Sequence, residues 1–120
     1  DSDNMTAMVD SCRNSLDRIA QNRGVTTSLK RYRDSDPTSC SKRFLDAAED
    51  AAGEVGVDKL HLSSGAMHDT ANVASVTDAG LLFAPSVGGF SHSPREWTDW
   101  DDCVAATAVL AETVCSLAAV

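Results

Sequence analysis

Residues 79–104 read AGLLFAPSVGGFSHSPREWTDWDDCV, and three different patterns follow one another along them. Leu81, Leu82, Phe83 and Ala84 form a continuous apolar run, which suits a buried strand. Residues 85–97 have no usable period but carry Gly88, Gly89, His92, Pro94 and Glu96. Thr98 is then placed to cap a long helix whose first turn holds Asp99, Asp101 and Asp102, carboxylates that favour the positive end of the helix dipole. Helical spacing assigns its inner face to Trp100, Cys103, Val104, Thr107, Leu110, Ala111, Val114 and Leu117. The unit expected is strand, loop, helix.

The same alternation is expected upstream. Asp3 or Asn4 can cap a first helix in which Met5, Met8, Val9, Cys12, Leu16, Ile19 and Ala20 recur at helical spacing, with Gly24 as its stop. Val25 to Tyr32 is strand-like, and residues 34–37 (Asp-Ser-Asp-Pro) are a loop by turn chemistry. A second helix is expected from Ser41 to Val55, with Phe44, Leu45, Ala48, Ala51, Ala52 and Val55 on one face and Gly56 after it. Val57 to Leu62 reads as a short strand, residues 63–65 as a turn, and Asp69 to Val76 as a short helix. The order is αβαβαβα, which predicts an α/β fold with a partial sheet covered by helices.

The 120 residues carry a net charge of -8, with an isoelectric point near 4.6. That balance argues against a nucleic-acid partner, because phosphate binding needs clustered Lys and Arg. Asp supplies 14 of the 18 acids and Arg 7 of the 10 bases, a bias that suits concentrated salt and equally an ordinary acidic surface. Cys12, Cys40, Cys103 and Cys115 form no C-x-x-C pair and read as buried or half-buried thiols of a reducing, cytoplasmic compartment. No apolar run reaches the ~18 residues of a membrane span, and no signal peptide opens the chain. The first residue is Asp1 rather than Met, so an upstream portion is expected.

Two loops at strand ends hold the candidate chemistry, residues 64–70 (SGAMHDT) and residues 83–98. His92, flanked by serines and glycines, is a candidate ligand or general base, or a surface histidine bonded within its own loop. His68 and Asp69 are a ligand pair, or a packed imidazole beside a capping carboxylate. Glu96 orients His92 or faces solvent, and His61 is structural.

Together the two segments resemble the S-G-A-G-H-D-A and F-V-P-S-x-x-G-I-S-H-x-P-x-E-W motifs of the N-carbamoyl amino acid hydrolase and allantoate amidohydrolase family, a group of M20-like metal-dependent amidohydrolases. Pro85, Ser86, Gly89, Ser91, His92, Pro94, Glu96 and Trp97 fall in register with the second motif. Met67 and Thr70 depart from the first, which places the particular substrate in question, since a side chain at Met67 narrows the approach of substrate to backbone.

The resemblance implies the C-terminal part of a two-domain enzyme. Residues 1–36 would end its lid and dimerisation domain, and residues 37–120 would belong to its catalytic domain. It makes His92 a metal ligand, places Gly65, Ala66, Met67 and His68 at the substrate, and gives Asp69 and Glu96 supporting roles. The cofactor implied is a pair of divalent ions (Zn, Mn or Co), and the substrate a small ureido or carbamoyl compound. The complete enzyme would be a homodimer. Its general base and other ligands, carried by H-x-D and Glu-Glu motifs, are expected upstream, and neither motif occurs here. No catalytic residue is therefore expected within the chain. The expectation is a fragment inactive alone, and the alternative a non-catalytic remnant that binds a companion chain.

Overall fold

The computed structural model describes residues 2–32 and 35–119. They divide into two compact units, residues 1–38 and residues 39–120.

The first unit is built on α1, Ser2–Arg23. The helix begins before the expected caps, so Asp3 lies inside its first turn, while the Thr6 hydroxyl donates to the Ser2 carbonyl at 2.9 Å. Met5, Val9, Leu16 and Ala20 are half-buried along one stripe, and Met8 and Ile19 are exposed. Gly24 ends the helix at φ 63°, which lets the Val25 N–H reach back to the Ala20 carbonyl at 3.1 Å.

The second unit is an antiparallel pair of helices with long loops. α2, Lys42–Val55, starts after Ser41, whose own N–H donates to the Ala79 carbonyl at 2.8 Å. At its end Gly56 takes φ 77°, and the N–H groups of Gly56 and Val57 close on the carbonyls of Gly53 and Ala52 at 3.2 and 3.0 Å. This is a Schellman closure, and it turns Val57 back against the core.

α3, Asp69–Val73, is shorter than expected, and α4 spans Trp100–Ala118. Ala51 and Ala52 of α2 pack on Val109 of α4, with Val55 and Val57 beside them. Arg43 donates to the Leu117 carbonyl at 3.1 Å, fastening the start of α2 to the end of α4. The buried Thr113 hydroxyl satisfies itself on the Val109 carbonyl at 2.7 Å. Alanine lets the two helices approach closely, yet each methyl removes little area from water, so this is a thin core.

The expected sheet is not there: the described residues contain no strand. Residues 25–32, 57–62 and 81–84 are irregular segments without a ladder. Their composition suits strands, but a strand exists only when its backbone finds a neighbour, and composition is silent about the neighbour. Residues 57–62 are instead fastened by side chains. Lys59 donates to the Glu49 carbonyl at 3.1 Å, and His61 Nε2 is bonded to the Glu49 carboxylate. Leu60 and Leu62 are left exposed.

The face expected for α4 also needs correction. Val109 and Thr113 are the buried positions, whereas Trp100, Val104, Leu110 and Val114 are 77, 52, 52 and 55% exposed. α4 is apolar on more than one side, so periodicity alone could not choose between them. Asp99, not Thr98, occupies the position before the helix, and Thr98 donates instead to the Pro85 carbonyl at 2.9 Å. Among the cysteines, Cys12 and Cys115 are exposed and Cys40 and Cys103 half-buried.

Candidate functional site

The loop of residues 85–98 closes on itself. Val87 N–H donates to the Trp97 carbonyl at 2.8 Å, joining its two ends beside the Thr98–Pro85 bond. Within that ring the Ser86 hydroxyl donates to the Phe90 carbonyl at 2.5 Å, and Gly89 N–H to the Ser86 carbonyl at 2.9 Å. A short 3-10 turn, Val87–Gly89, carries Gly88 at φ 70°. A Cβ on Gly88 would stand 2.9 Å from the Phe90 ring, whose aromatic system lies 3.8 Å from the Arg95 guanidinium carbon. Gly88 and Arg95 thus set where Phe90 lies.

His92 follows directly. It has φ 55°, left-handed for a residue with a Cβ, and is the single non-glycine of that kind among the described residues. Glu96 holds it there, its Oε2 accepting the His92 backbone N–H at 2.7 Å. Glu96 N–H in turn donates to the Ser93 carbonyl at 3.0 Å. The contact with His92 runs through the backbone rather than the ring. The ring is met by Ser91, whose Oγ lies 2.7 Å from Nδ1. Nε2 has no hydrogen-bond partner among the described residues, and the side chain is exposed.

The turn of residues 63–69 is simpler. The Ser64 hydroxyl accepts the Ala66 N–H at 3.1 Å and lies 2.8 Å from His68 Nε2. The His68 ring meets Phe83 edge-on with centroids 5.4 Å apart, and His68 is half-buried as a result. Gly65, Ala66 and Met67 form the exposed crest of the turn. Asp69 is not the cap of α3; it lies in the first turn, and His68 occupies the capping position with no side-chain bond to the helix.

The structure therefore brings together Ser91, His92 and Glu96 in one loop, and Ser64, His68 and Phe83 beside the other. No hydrogen bond or ion pair joins the two groups among the described residues. Nor do any three His, Cys, Asp or Glu side chains among those residues converge as a metal site. The sequence reading missed the two serines, although both stand at telling offsets: Ser91 adjoins its histidine, and Ser64 precedes His68 by four residues.

The profile of peptidase family M20/M25/M40 matches residues 5–116, and the chain belongs to that family. Within it the chain falls in the N-carbamoyl amino acid hydrolase and allantoate amidohydrolase group. It is 38% identical over 100 residues to an N-carbamoyl-L-amino acid amidohydrolase of Geobacillus stearothermophilus, covering 83% of this chain and 24% of the relative. It is 32% identical over 108 residues to an N-carbamoyl-L-amino-acid amidohydrolase of Paenarthrobacter aurescens, covering 90% and 26%. An allantoate amidohydrolase of Bacillus subtilis is 34% identical over 83 residues, covering 69% and 20%. The chain thus spans about a quarter of the length of these relatives or less.

Proposed function

We propose that this chain supplies part of a metal-dependent hydrolase of linear C–N bonds in small carbamoyl or ureido compounds, and that it is inactive alone. The observation that carries the reading is the His92 loop. Its fold holds one imidazole at the surface with Nδ1 engaged and Nε2 open. That arrangement fits one ligand position in a larger site.

It does not fit a complete one, because the described residues provide no trio of ligand side chains. A pair of divalent ions, Zn, Mn or Co, would supply an activated water and stabilise charge on the substrate. His92 would hold one ion through Nε2, Glu96 would keep its backbone in place, and Gly65, Ala66, Met67 and His68 would border the substrate, with Asp69 supporting the turn. Residues 1–36 would belong to a lid and dimerisation domain and residues 37–120 to the catalytic domain of a homodimeric, cytoplasmic enzyme. No helix among the described residues is long and apolar enough to cross a membrane.

One observation favours a second reading, a non-catalytic chain that binds a companion: much of the apolar surface of α4 is exposed.

Complementation separates the two. The chain is mixed with the remaining N-terminal portion of the Geobacillus stearothermophilus relative and a divalent metal, and release of the amino acid from N-carbamoyl substrates is followed. Alone, the chain should show no hydrolysis. Complemented, it should hydrolyse, and His92→Ala should lower the rate by at least ~100-fold, beyond the ~10–100-fold typical of residues that merely support a ligand. An unchanged rate and metal content with Ala at position 92 would overturn the assignment of His92. Folding of the complemented pair without any hydrolysis would favour the companion-binding reading.

A further inference from the structure

We propose that Ser91 is a positioning residue that selects which nitrogen His92 offers: its hydroxyl oxygen accepts the Nδ1 proton and leaves the lone pair on Nε2. The inference rests on the reading of His92 as a ligand for the direction of the bond, and on geometry for its existence.

The ring and the backbone of His92 are held by different residues. Glu96 accepts the backbone N–H at 2.7 Å, which keeps the left-handed φ of 55° but leaves rotation of the ring undetermined. Ser91 Oγ, 2.7 Å from Nδ1, is the only hydrogen-bond partner of that ring among the described residues. A hydroxyl can donate or accept, and a neutral imidazole carries one proton on one of two nitrogens, so the contact permits two arrangements. In the first, Nδ1–H donates to Oγ and Nε2 has a free lone pair. In the second, Oγ–H donates to Nδ1, and Nε2 carries the proton and cannot bind a cation. A histidine that ligates through one nitrogen ordinarily donates from the other, which is the first arrangement.

The chain carries its own controls. It has three histidines. Nε2 is the engaged nitrogen in His68, by Ser64, and in His61, by Glu49. His92 alone is engaged through Nδ1. A tautomer measurement therefore reads one site against two others in the same sample.

The experiment is long-range ¹H–¹⁵N NMR of the imidazole nitrogens in the metal-free 120-residue chain. Neutral His92 should be mainly the Nδ1–H form. S91A should shift its tautomer ratio toward Nε2–H by about fivefold, the factor that one hydrogen bond of ordinary net strength supplies. S91T, which keeps a hydroxyl, should restore the original ratio. The signals of His61 and His68 should not move in either variant. A wild-type His92 in the Nε2–H form would overturn the proposal, as would an S91A ratio equal to wild type. If S91A disturbs His61 and His68 as well, the chain has lost its fold, and S91T then decides: a wild-type ratio supports the role and a shifted one removes it. None of these outcomes depends on bound metal, so failure here leaves the ligand reading to the His92→Ala experiment.

Discussion

The loop of residues 85–98 and the turn of residues 63–69 carry the two halves of the same family resemblance, yet they are held by different means. The loop is cross-tied, with its ends joined by Val87–Trp97 and Thr98–Pro85 and its interior fixed by Ser86–Phe90 and His92–Glu96. The turn has one serine at its centre and one aromatic contact at its edge. A segment that satisfies its own backbone groups keeps its geometry whatever surrounds it. A segment with few internal bonds opens at low cost. Among the described residues, then, the loop that carries His92 is the better preorganised, and the turn depends more on what lies against it.

The sharpest way to break that comparison is a matched pair of glycine substitutions. Gly88→Ala places a Cβ 2.9 Å from Phe90 at φ 70°, and Phe90 cannot simply swing away while Arg95 stacks on it. The expected loss is ~1–3 kcal/mol, from the left-handed backbone and the displaced ring together. At Gly65 a Cβ would meet nothing within 4 Å, so Gly65→Ala should stay within ~0.5 kcal/mol of wild type. Urea denaturation followed by circular dichroism measures both. Equal losses would mean that the loop is no more tightly built than the turn.

A smaller effect sharpens the same contrast. Glu96→Ala removes the acceptor of the His92 N–H, an exposed bond to a charged group, and should raise exchange of that amide by roughly tenfold. Glu96→Gln keeps an acceptor and should recover part of the protection. Ser64→Ala should leave the His92 amide unaffected. Amide hydrogen exchange read by NMR distinguishes these, and a rise at His92 on Ser64→Ala would show the two segments to be coupled.

How far these features could be read beforehand differs by element. α2 was legible because its signals agree: Ser41 before it, Gly56 after it, and Ala51, Ala52 and Val55 on one face. α4 was legible as a helix but not in orientation, since an apolar surface on several sides leaves the packed side to be settled by the partner. The three expected strands failed for a related reason: Leu60, Leu82 and Phe83 have the right composition but no paired neighbour, and pairing is non-local. In the loop, the resemblance singled out His92 as an expected ligand and Glu96 as its expected support. It did not reveal that Glu96 acts on the backbone while Ser91 meets the ring, because residue order carries no information about which atom of an imidazole is engaged. Of the two readings of Asp69, ligand partner or cap, the structure removes the cap, because α3 starts one residue earlier than capping by Asp69 requires.

The least effect expected comes from a pair outside both segments. Asp46 accepts hydrogen bonds from Lys42 at 2.6 and 2.7 Å and, with its charge, raises the lysine above its ordinary 10.5. A raised ammonium contributes stability that is whole below the ordinary lysine range and is lost as pH climbs through the raised value. Both partners are solvent-exposed, so the contribution is small. Titration of the Lys42 side chain by NMR should show Asp46→Asn returning it toward the ordinary value, with residues 85–98 and 63–69 unchanged. Movement in either segment would mean that α2 communicates with them.

The two tryptophans have a practical consequence of their own. Trp97 and Trp100 are the whole complement of the chain, they stand three residues apart where the loop becomes α4, and they are 66 and 77% exposed. Excited at the red edge of indole absorption, the molecule therefore emits from one place only. Its emission starts at the long wavelengths of wet indole. Any protein that settles over this junction will move the colour toward the blue, so the chain arrives with a built-in dye at the border of its cross-tied loop and a helix that leaves much of its apolar surface open.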